Sequence, residues 1–333
     1  MKAGKKKVRV QDIAKILKIS ASTVSRALND HPRISKETKE KVRQVATRLG
    51  YYVVQEQTDP EKTEAVTVMI PSLACNLYRE VAAGAKDFLS ENNYQTFIID
   101  TDGDEEQVRS FFKTSSKYGI SGIIHLVSDK NIPEDFYDLP KNNAFPVVTV
   151  FEPETAAGVS SVMPDMFQGV DKIMTHLRSL GTTKTGLLLE NKNKPEDALT
   201  VQAFEAIMEH PGSLNIRYAA RDRQKIEHEV NALLSDQVHV IIVKSVFSTL
   251  EVMHMAQRKG VKIPDDLLLI AMDTDTTFSG LSTNFSLLKF PAYEMGYEAG
   301  RILLEQIENP ETVSRTSIIP VSFILKGSAI RMK

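Results

Sequence analysis

The chain of 333 residues has no tryptophan, one cysteine and no long hydrophobic run. The single cysteine, Cys75, excludes an intrachain disulfide and any thiolate cluster for a metal. No basic residue beside Cys75 in sequence lowers its pKa, so it reads as a small packing residue. Apolar stretches fall well short of the ~20 residues that cross a bilayer. The start, Met1 to Lys7, is positive but has no apolar segment behind it, so it fails as a signal peptide and a cytoplasmic location is expected. No G-x-x-x-x-G-K-[ST] loop, G-x-G-x-x-G fingerprint or G-x-S-x-G elbow is present. The seven histidines are scattered, with none four residues from another, so no local metal site is expected. These absences argue against an enzyme and imply no cofactor.

What is present is a charge asymmetry. Residues 1–50 hold 14 Lys and Arg against four acids, Asp12, Asp30, Glu37 and Glu40, while the rest of the chain holds 27 bases and 39 acids. The net charge of −2 therefore hides two opposite parts. A basic module gains affinity for DNA by displacing counterions from phosphates, and an acidic remainder does not.

The basic segment also has motif spacing. Val10, Ile13, Ala14, Ile16 and Leu17 recur at helical intervals and predict a first helix ending near Lys18. Ser20 is placed to cap a second helix, Ala21 to Leu28, by accepting from the backbone N–H of Ser22 or Thr23. Val24, Ala27 and Leu28 would face inward, leaving Ala21, Ser22, Ser25, Arg26 and Asn29 outward. Ser35 begins a third helix with Val42, Val45, Ala46 and Leu49 as its buried stripe and Gly50 as its stop. This is a helix-turn-helix, whose second helix enters the major groove with its N-terminal residues nearest the base edges. Ala21, Ser22 and Arg26 are the candidate base readers, Arg26 by forking onto guanine O6 and N7.

The run V-S-R-A-L-N after a short capped turn, followed by I-S-K-E-T-K-E-K-V and R-L-G-Y, resembles the LacI (lactose repressor)/GalR family of bacterial transcription regulators. That resemblance implies phosphate contacts at Ser20, Thr23, Ser25, Asn29, Ser35 and Thr38, with Arg33 joining the DNA-binding set. Arg9 replaces the family's usual Thr at the first helix cap and is expected to contact a phosphate instead. After Gly-Tyr the family continues with Pro-Asn and a short hinge helix whose leucine wedges into the minor groove. Here Val53 and Val54 stand at Pro and Asn, Pro60 aligns with the wedge, and Glu56, Asp59, Glu61 and Glu64 make the segment acidic. Acid beside a phosphate-lined groove is repulsive and proline disfavours a helical interior, so hinge insertion is expected to be impaired.

From Ala65 onward, short apolar runs alternate with helical stretches. Strands are predicted at residues 65–70, 96–100, 122–127 and 147–151, then at 185–190, 238–243 and 267–272, with helices at 78–92, 105–117, 166–180, 198–208, 226–234 and 247–259. The expected fold is an all-α helix-turn-helix head plus α/β: two doubly wound parallel-sheet lobes of periplasmic-binding-protein type, as the resemblance also implies. The expected boundaries are 1–51 for the head, 52–64 for a linker and 65–333 for an effector-binding and dimerisation core.

Open α/β sheets bind ligands beyond the carboxyl ends of their strands, so the cleft between lobes is the candidate effector site. Asn76, Tyr78, Phe151, Asp165, Thr200, Ser245 and Asp273 are its candidate lining. The resemblance is weaker here, because Thr200 stands where the family commonly has an Arg and Ser245-Val246 where it has Asn-Asp. Losing an Arg and an Asp removes paired donors and acceptors for a hydroxyl-rich ligand. His125 and His239, within apolar runs, read as satisfied core or strand-end residues. The expected function is a dimeric, sequence-specific regulator, a repressor by the resemblance, that binds a double-stranded, pseudo-palindromic DNA operator and responds to a sugar-like small molecule, with no membrane partner. The alternatives are a small-molecule sensor with weak DNA binding that acts through a protein partner, and a sugar-processing enzyme on a similar core.

Overall fold

The computed structural model describes residues 10–28, 31, 34–49, 64–128, 137–138, 145–152, 159–182, 184–208, 214–274 and 284–330. By its contacts the chain divides into two units, Met1–Thr63 and Glu64–Lys333.

The first unit contains α1 (Val10–Leu17), α2 (Ala21–Leu28) and α3 (Lys36–Leu49). Its core is Ile13, Ala14, Val24, Ala27, Leu28, Val42 and Ala46, flanked by Val10, Leu17 and Val45. Ile16 departs from the expected stripe and is 54% exposed. At about 100° per residue, Ile13, Leu17, Val10 and Ala14 fall within one narrow arc, and Ile16 lies outside it. Lys18 adopts φ +53 and Ile19 N–H bonds back to the Ala14 carbonyl at 3.2 Å, closing α1 before the turn. Arg9, Asn29, Arg33 and the linker 52–63 lie outside the described residues.

The second unit has two six-stranded sheets. In the first lobe the order is β2 (Gln95–Asp100), β1 (Ala65–Ile70), β3 (Ile120–Leu126), β4 (Val147–Val150), β5 (Ser160–Asp165) and β11 (Thr316–Pro320), all neighbours parallel. In the second the order is β7 (Leu214–Tyr218), β6 (Thr185–Leu189), β8 (Val240–Lys244), β9 (Leu268–Asp273), β10 (Ser286–Lys289) and β12 (Ser322–Ile324), with only β12 antiparallel, against β10. The central strands are buried on both faces, which is why they read as continuous Val, Ile and Leu rather than as alternating patterns.

Helices α4 (Asn76–Glu91) and α5 (Glu105–Thr114) cover the first lobe; α6 (Met166–Ser179), α7 (Pro195–Ile207), α8 (Arg223–Ser235) and α9 (Val246–Lys259) belong to the second. Helix α10 (Ala292–Glu308) follows β10 of the second sheet yet packs on α4 and the first sheet. The chain thus crosses between lobes three times: at Asp165, between Lys289 and Ala292, and between Pro320 and Ser322. In each sheet the strand order reverses beside the first strand, so the segments after β1, β6 and β8 open at a switch point and face one cleft. No helix among the described residues is long and apolar enough to cross a membrane.

Candidate functional site

On the first unit, the exposed face of α2 presents Ala21, Ser22, Ser25 and Arg26 while Val24, Ala27 and Leu28 are buried. The Ser20 hydroxyl accepts the Thr23 N–H at 3.0 Å and lies 2.8 Å from the Ser22 hydroxyl and 2.7 Å from that of Thr23. Ser35 does the same for α3, accepting the Thr38 N–H at 3.3 Å with the Thr38 hydroxyl at 2.8 Å. Two hydroxyl clusters therefore sit on helix N-termini, where unpaired N–H groups and the helix dipole favour an anion such as phosphate. Of the eleven DNA-contact candidates, these eight residues lie on described helices or their caps.

The second unit holds its chemistry in the cleft. Two cavities of about 220 and 500 Å³ share Cys75, Glu190 and Arg221 in their walls. Asn76, Ser245 and Asp273 line the smaller, and Tyr78 the larger. The other three candidates are placed elsewhere. Thr200 is fully buried on α7, its hydroxyl turned back to donate to the Glu196 carbonyl at 2.7 Å. Phe151 is fully buried and meets the Tyr78 ring edge-on at 6.5 Å between centroids. The Asp165 carboxylate accepts the Gln168 N–H at 3.0 Å and caps α6 at the first lobe crossing. Helical back-bonding, packing and capping respectively withdraw these side chains from the two cavities.

A charged cluster that sequence reasoning missed forms the floor. Lys244, at the end of β8 and 6% exposed, sits 3.1 Å from Glu196 and pairs still more tightly with Asp197. Lys194 pairs with Glu190 at 2.6 Å, and Arg221 approaches the other Glu190 oxygen at 3.6 Å. Asp197 also accepts the N–H groups of Glu190 and Asn191 at 3.0 and 2.8 Å, bracing the turn after β6. The available signals were a lysine ending the apolar run V-H-V-I-I-V and the dense charges of E-N-K-N-K-P-E-D.

The ionisation of the cluster follows from its partners. Burial works against the Lys244 ammonium, but the carboxylates of Asp197, Glu196 and Glu190 outweigh it and raise its pKa. Burial pushes Asp197 up, with the nearby Glu196 charge adding to it. Glu196 is held below its usual range because Lys244 and Lys194 overcome its burial. Asp273 is raised by burial even though it accepts the Val246 and Thr274 N–H groups at 2.9 and 2.7 Å.

Polar contacts link the lobes across the cleft. The Tyr78 hydroxyl donates to Glu196 at 2.8 Å, and burial with that carboxylate lifts its pKa well above the ordinary value. Asn76 donates to the Thr274 hydroxyl at 2.7 Å, which itself donates to Glu80 at 2.6 Å. Ser245 and Phe151 both hold φ +72 at strand ends beside the cleft. For a side chain other than glycine such a φ costs about 1 to 3 kcal/mol and persists only where surrounding contacts fix it.

A second cluster lies at the carboxyl ends of the first-lobe strands. Buried His125 places one ring nitrogen 3.0 Å from the Tyr137 hydroxyl and the other 3.3 Å from Glu105. Burial, and then the Glu105 charge, lift Glu152 to about 7. A carboxyl raised in the folded state withdraws stability as pH climbs from its unfolded value through 7. Replacing Glu152 by Gln is expected to raise thermal stability at pH 8 by the equivalent of about 1 to 2 kcal/mol, discounted for partial exposure, and to have little effect at pH 5. Melting curves across that range check it; an equal effect at both pH values would contradict the raised carboxyl. Among the described residues no group of three His, Cys, Asp or Glu is placed to hold a metal.

Comparison with known proteins places both units. Residues 9–53 match the family model for bacterial regulatory proteins of the lacI family, and residues 174–329 match the periplasmic binding protein-like domain. Catabolite control protein A of Staphylococcus xylosus is 24% identical over 318 residues, covering 94% of this chain and 96% of that protein. The crystal structure of the lac repressor dimer bound to operator and the anti-inducer ONPF superposes with a TM-score of 0.73 at 17% identity, over 98% of this chain and 100% of that one. A LacI family transcriptional regulator from Enterococcus faecium with bound ribose gives 0.70 at 18% identity, over 81% of this chain and 100% of that one. These similar proteins are transcription regulators, not enzymes.

Proposed function

From a chain that belongs to the lacI family of bacterial transcription regulators, with a helix-turn-helix DNA-binding domain and an effector-binding domain, we propose a cytoplasmic repressor that binds a pseudo-palindromic operator as a homodimer. The observation that carries this reading is the outer face of α2, where Ser22 and Arg26 stand exposed beside two hydroxyl clusters on helix N-termini. That arrangement supplies base-edge contacts and phosphate anchors on one small domain. Dimerisation is supported by the edge strand β2, which leaves Phe97 50% and Ile98 42% exposed. The similar lac repressor structure is itself a dimer on its operator.

The effector site is the inter-lobe cleft around Asn76, Ser245 and Asp273. A ligand that binds one lobe arrangement better than another shifts that equilibrium. Ligand and operator affinities are then coupled reciprocally.

Arg26→Ala is expected to weaken operator binding by about 1 to 3 kcal/mol, concentrated on one base pair of each half-site. Random-sequence DNA should lose much less. Fluorescence anisotropy titrations on operator variants over a range of salt concentrations test this, and wild-type affinity for the operator should fall steeply as salt rises. Equal loss on operator and random DNA would remove the base-reading role of Arg26. A shallow salt dependence would favour a sensor acting through a protein partner.

A further inference from the structure

The first turn of α4 is spent on the opposite lobe. Asn76 Nδ2 donates to the Thr274 hydroxyl at 2.7 Å and to Glu80 at 2.8 Å, and its Oδ1 accepts from Arg79 at 2.8 Å. The Thr274 hydroxyl donates in turn to Glu80 at 2.6 Å. Three side chains thus close a triangle, two from α4 of the first lobe and one directly after β9 of the second. Between Asn76 and Glu80, the Tyr78 hydroxyl donates to Glu196 at the start of α7, 2.8 Å away. Tyr78, Glu196 and Thr274 are all buried.

The bonds to Glu80 and Glu196 are charge-assisted, and burial keeps bulk water from competing for them. A hydrogen bond weakens steeply once its geometry is lost, so the lobes cannot rotate without giving up the set. Asn76 also lines the smaller cavity and Tyr78 the larger. Both amide hydrogens of Asn76 are committed, so a ligand that takes a hydrogen bond from it must first break the triangle.

We propose that the first turn of α4 is a latch that holds the lobes together in the absence of effector and keeps operator affinity high. The link to DNA rests on the reading of the chain as a dimeric operator-binding regulator. Helix α4 packs on β1, which begins one residue after Glu64, and on β2, whose Phe97 and Ile98 support the dimer. Releasing the latch frees α4 and the strands beneath it, and DNA binding must then order them again.

Small-angle scattering and operator titrations on the full chain test the latch, the operator being a duplex that the wild-type chain selects from a random pool. Tyr78→Phe combined with Thr274→Val removes the cross-lobe hydroxyls and keeps the side-chain shapes. This double variant is expected to widen the distance distribution of the core and to weaken operator binding about fivefold or more, the lower end of coupling between sites. Tyr297→Phe is the control. It deletes a bond of the same kind, to Glu91 at 3.0 Å, between α10 and α4 on the first lobe alone, and should change neither quantity. Circular dichroism establishes that each variant is folded; if the double variant is not, the two single variants carry the comparison with smaller expected shifts.

Scattering and affinity both equal to wild type would overturn the latch and leave the regulator reading intact, since the wild-type chain would still bind its operator. Weaker binding with unchanged scattering would place the effect in α4 itself, against a latch between lobes. An opened core with unchanged affinity would overturn the control of DNA binding. If the pool yields no operator, the regulator reading falls, and scattering alone decides whether the lobes are latched.

Discussion

Replacing Lys244 by Met is expected to destabilise the Glu64–Lys333 unit by about 3 to 5 kcal/mol, the range seen when one partner of a buried ion pair is removed. The ammonium stands between Glu196, 1% exposed, and Asp197, fully buried, so the substitution leaves two carboxylates without their cation. Methionine is close to lysine in length and flexibility, which keeps the loss of packing small. Chemical denaturation at neutral pH measures the effect. The triple variant Lys244→Met, Glu196→Gln, Asp197→Asn should recover much of the loss, because removing all the charges together leaves no uncompensated ion. A single-variant cost below about 1 kcal/mol would place the cluster in the class of solvated surface pairs, against its burial.

The second large effect is expected where α4 and α10 touch. A β-carbon on Gly84 would stand 2.0 Å from the Tyr293 carbonyl oxygen, and one on Gly296 would stand 1.8 Å from that of Val81. These are backbone atoms, which cannot rotate aside, so the helices must move apart and disturb the first-lobe sheet on which α10 packs. In an unhindered helix, Gly→Ala gains about 1 kcal/mol. Here each substitution is expected to lose about 3 kcal/mol, the upper range for overpacking. Gly300→Ala provides a contrast, because its β-carbon meets the Phe88 side chain at 3.1 Å and a ring edge can yield. Thermal unfolding of the three variants should rank Gly300→Ala as mildest. A neutral or stabilising Gly296→Ala would mean that the helix contact is looser than described.

The sequence made the head largely legible because its determinants are local. Ser20 and Ser35 cap the helices that follow them, and Val24, Ala27 and Leu28 are buried as their spacing predicts. Ile16 was misplaced because it borders the arc of Val10, Ile13, Ala14 and Leu17 on a helix of only eight residues, and the packing against α2 and α3 decides where the buried stripe ends. The central strands of both lobes were readable as runs of Val, Ile and Leu. The strands at Leu214–Tyr218, Thr316–Pro320 and Ser322–Ile324 were not, being sheet-edge strands whose residues remain partly exposed and interrupted by polar groups or proline. Ser160–Asp165 and Ser286–Lys289 were missed too, being short and begun by serines although buried inside their sheets.

The sequence by itself thus determined the basic, capped helix-turn-helix head and the alternation of strands and helices, since charge, caps and hydrophobic period act over a few residues. Only the tertiary structure decided how the chain crosses between lobes, sending α10 back to the first sheet and splitting Pro320 from Ser322. It also decided which side chains own the cleft. Thr200 and Asp165 are occupied by their own helices, while Lys244, Glu190, Glu196 and Asp197 come together from the ends of β6 and β8 and the start of α7. Pairing of charges across 47 or more residues is a consequence of strand order, and no local pattern in the chain encodes it.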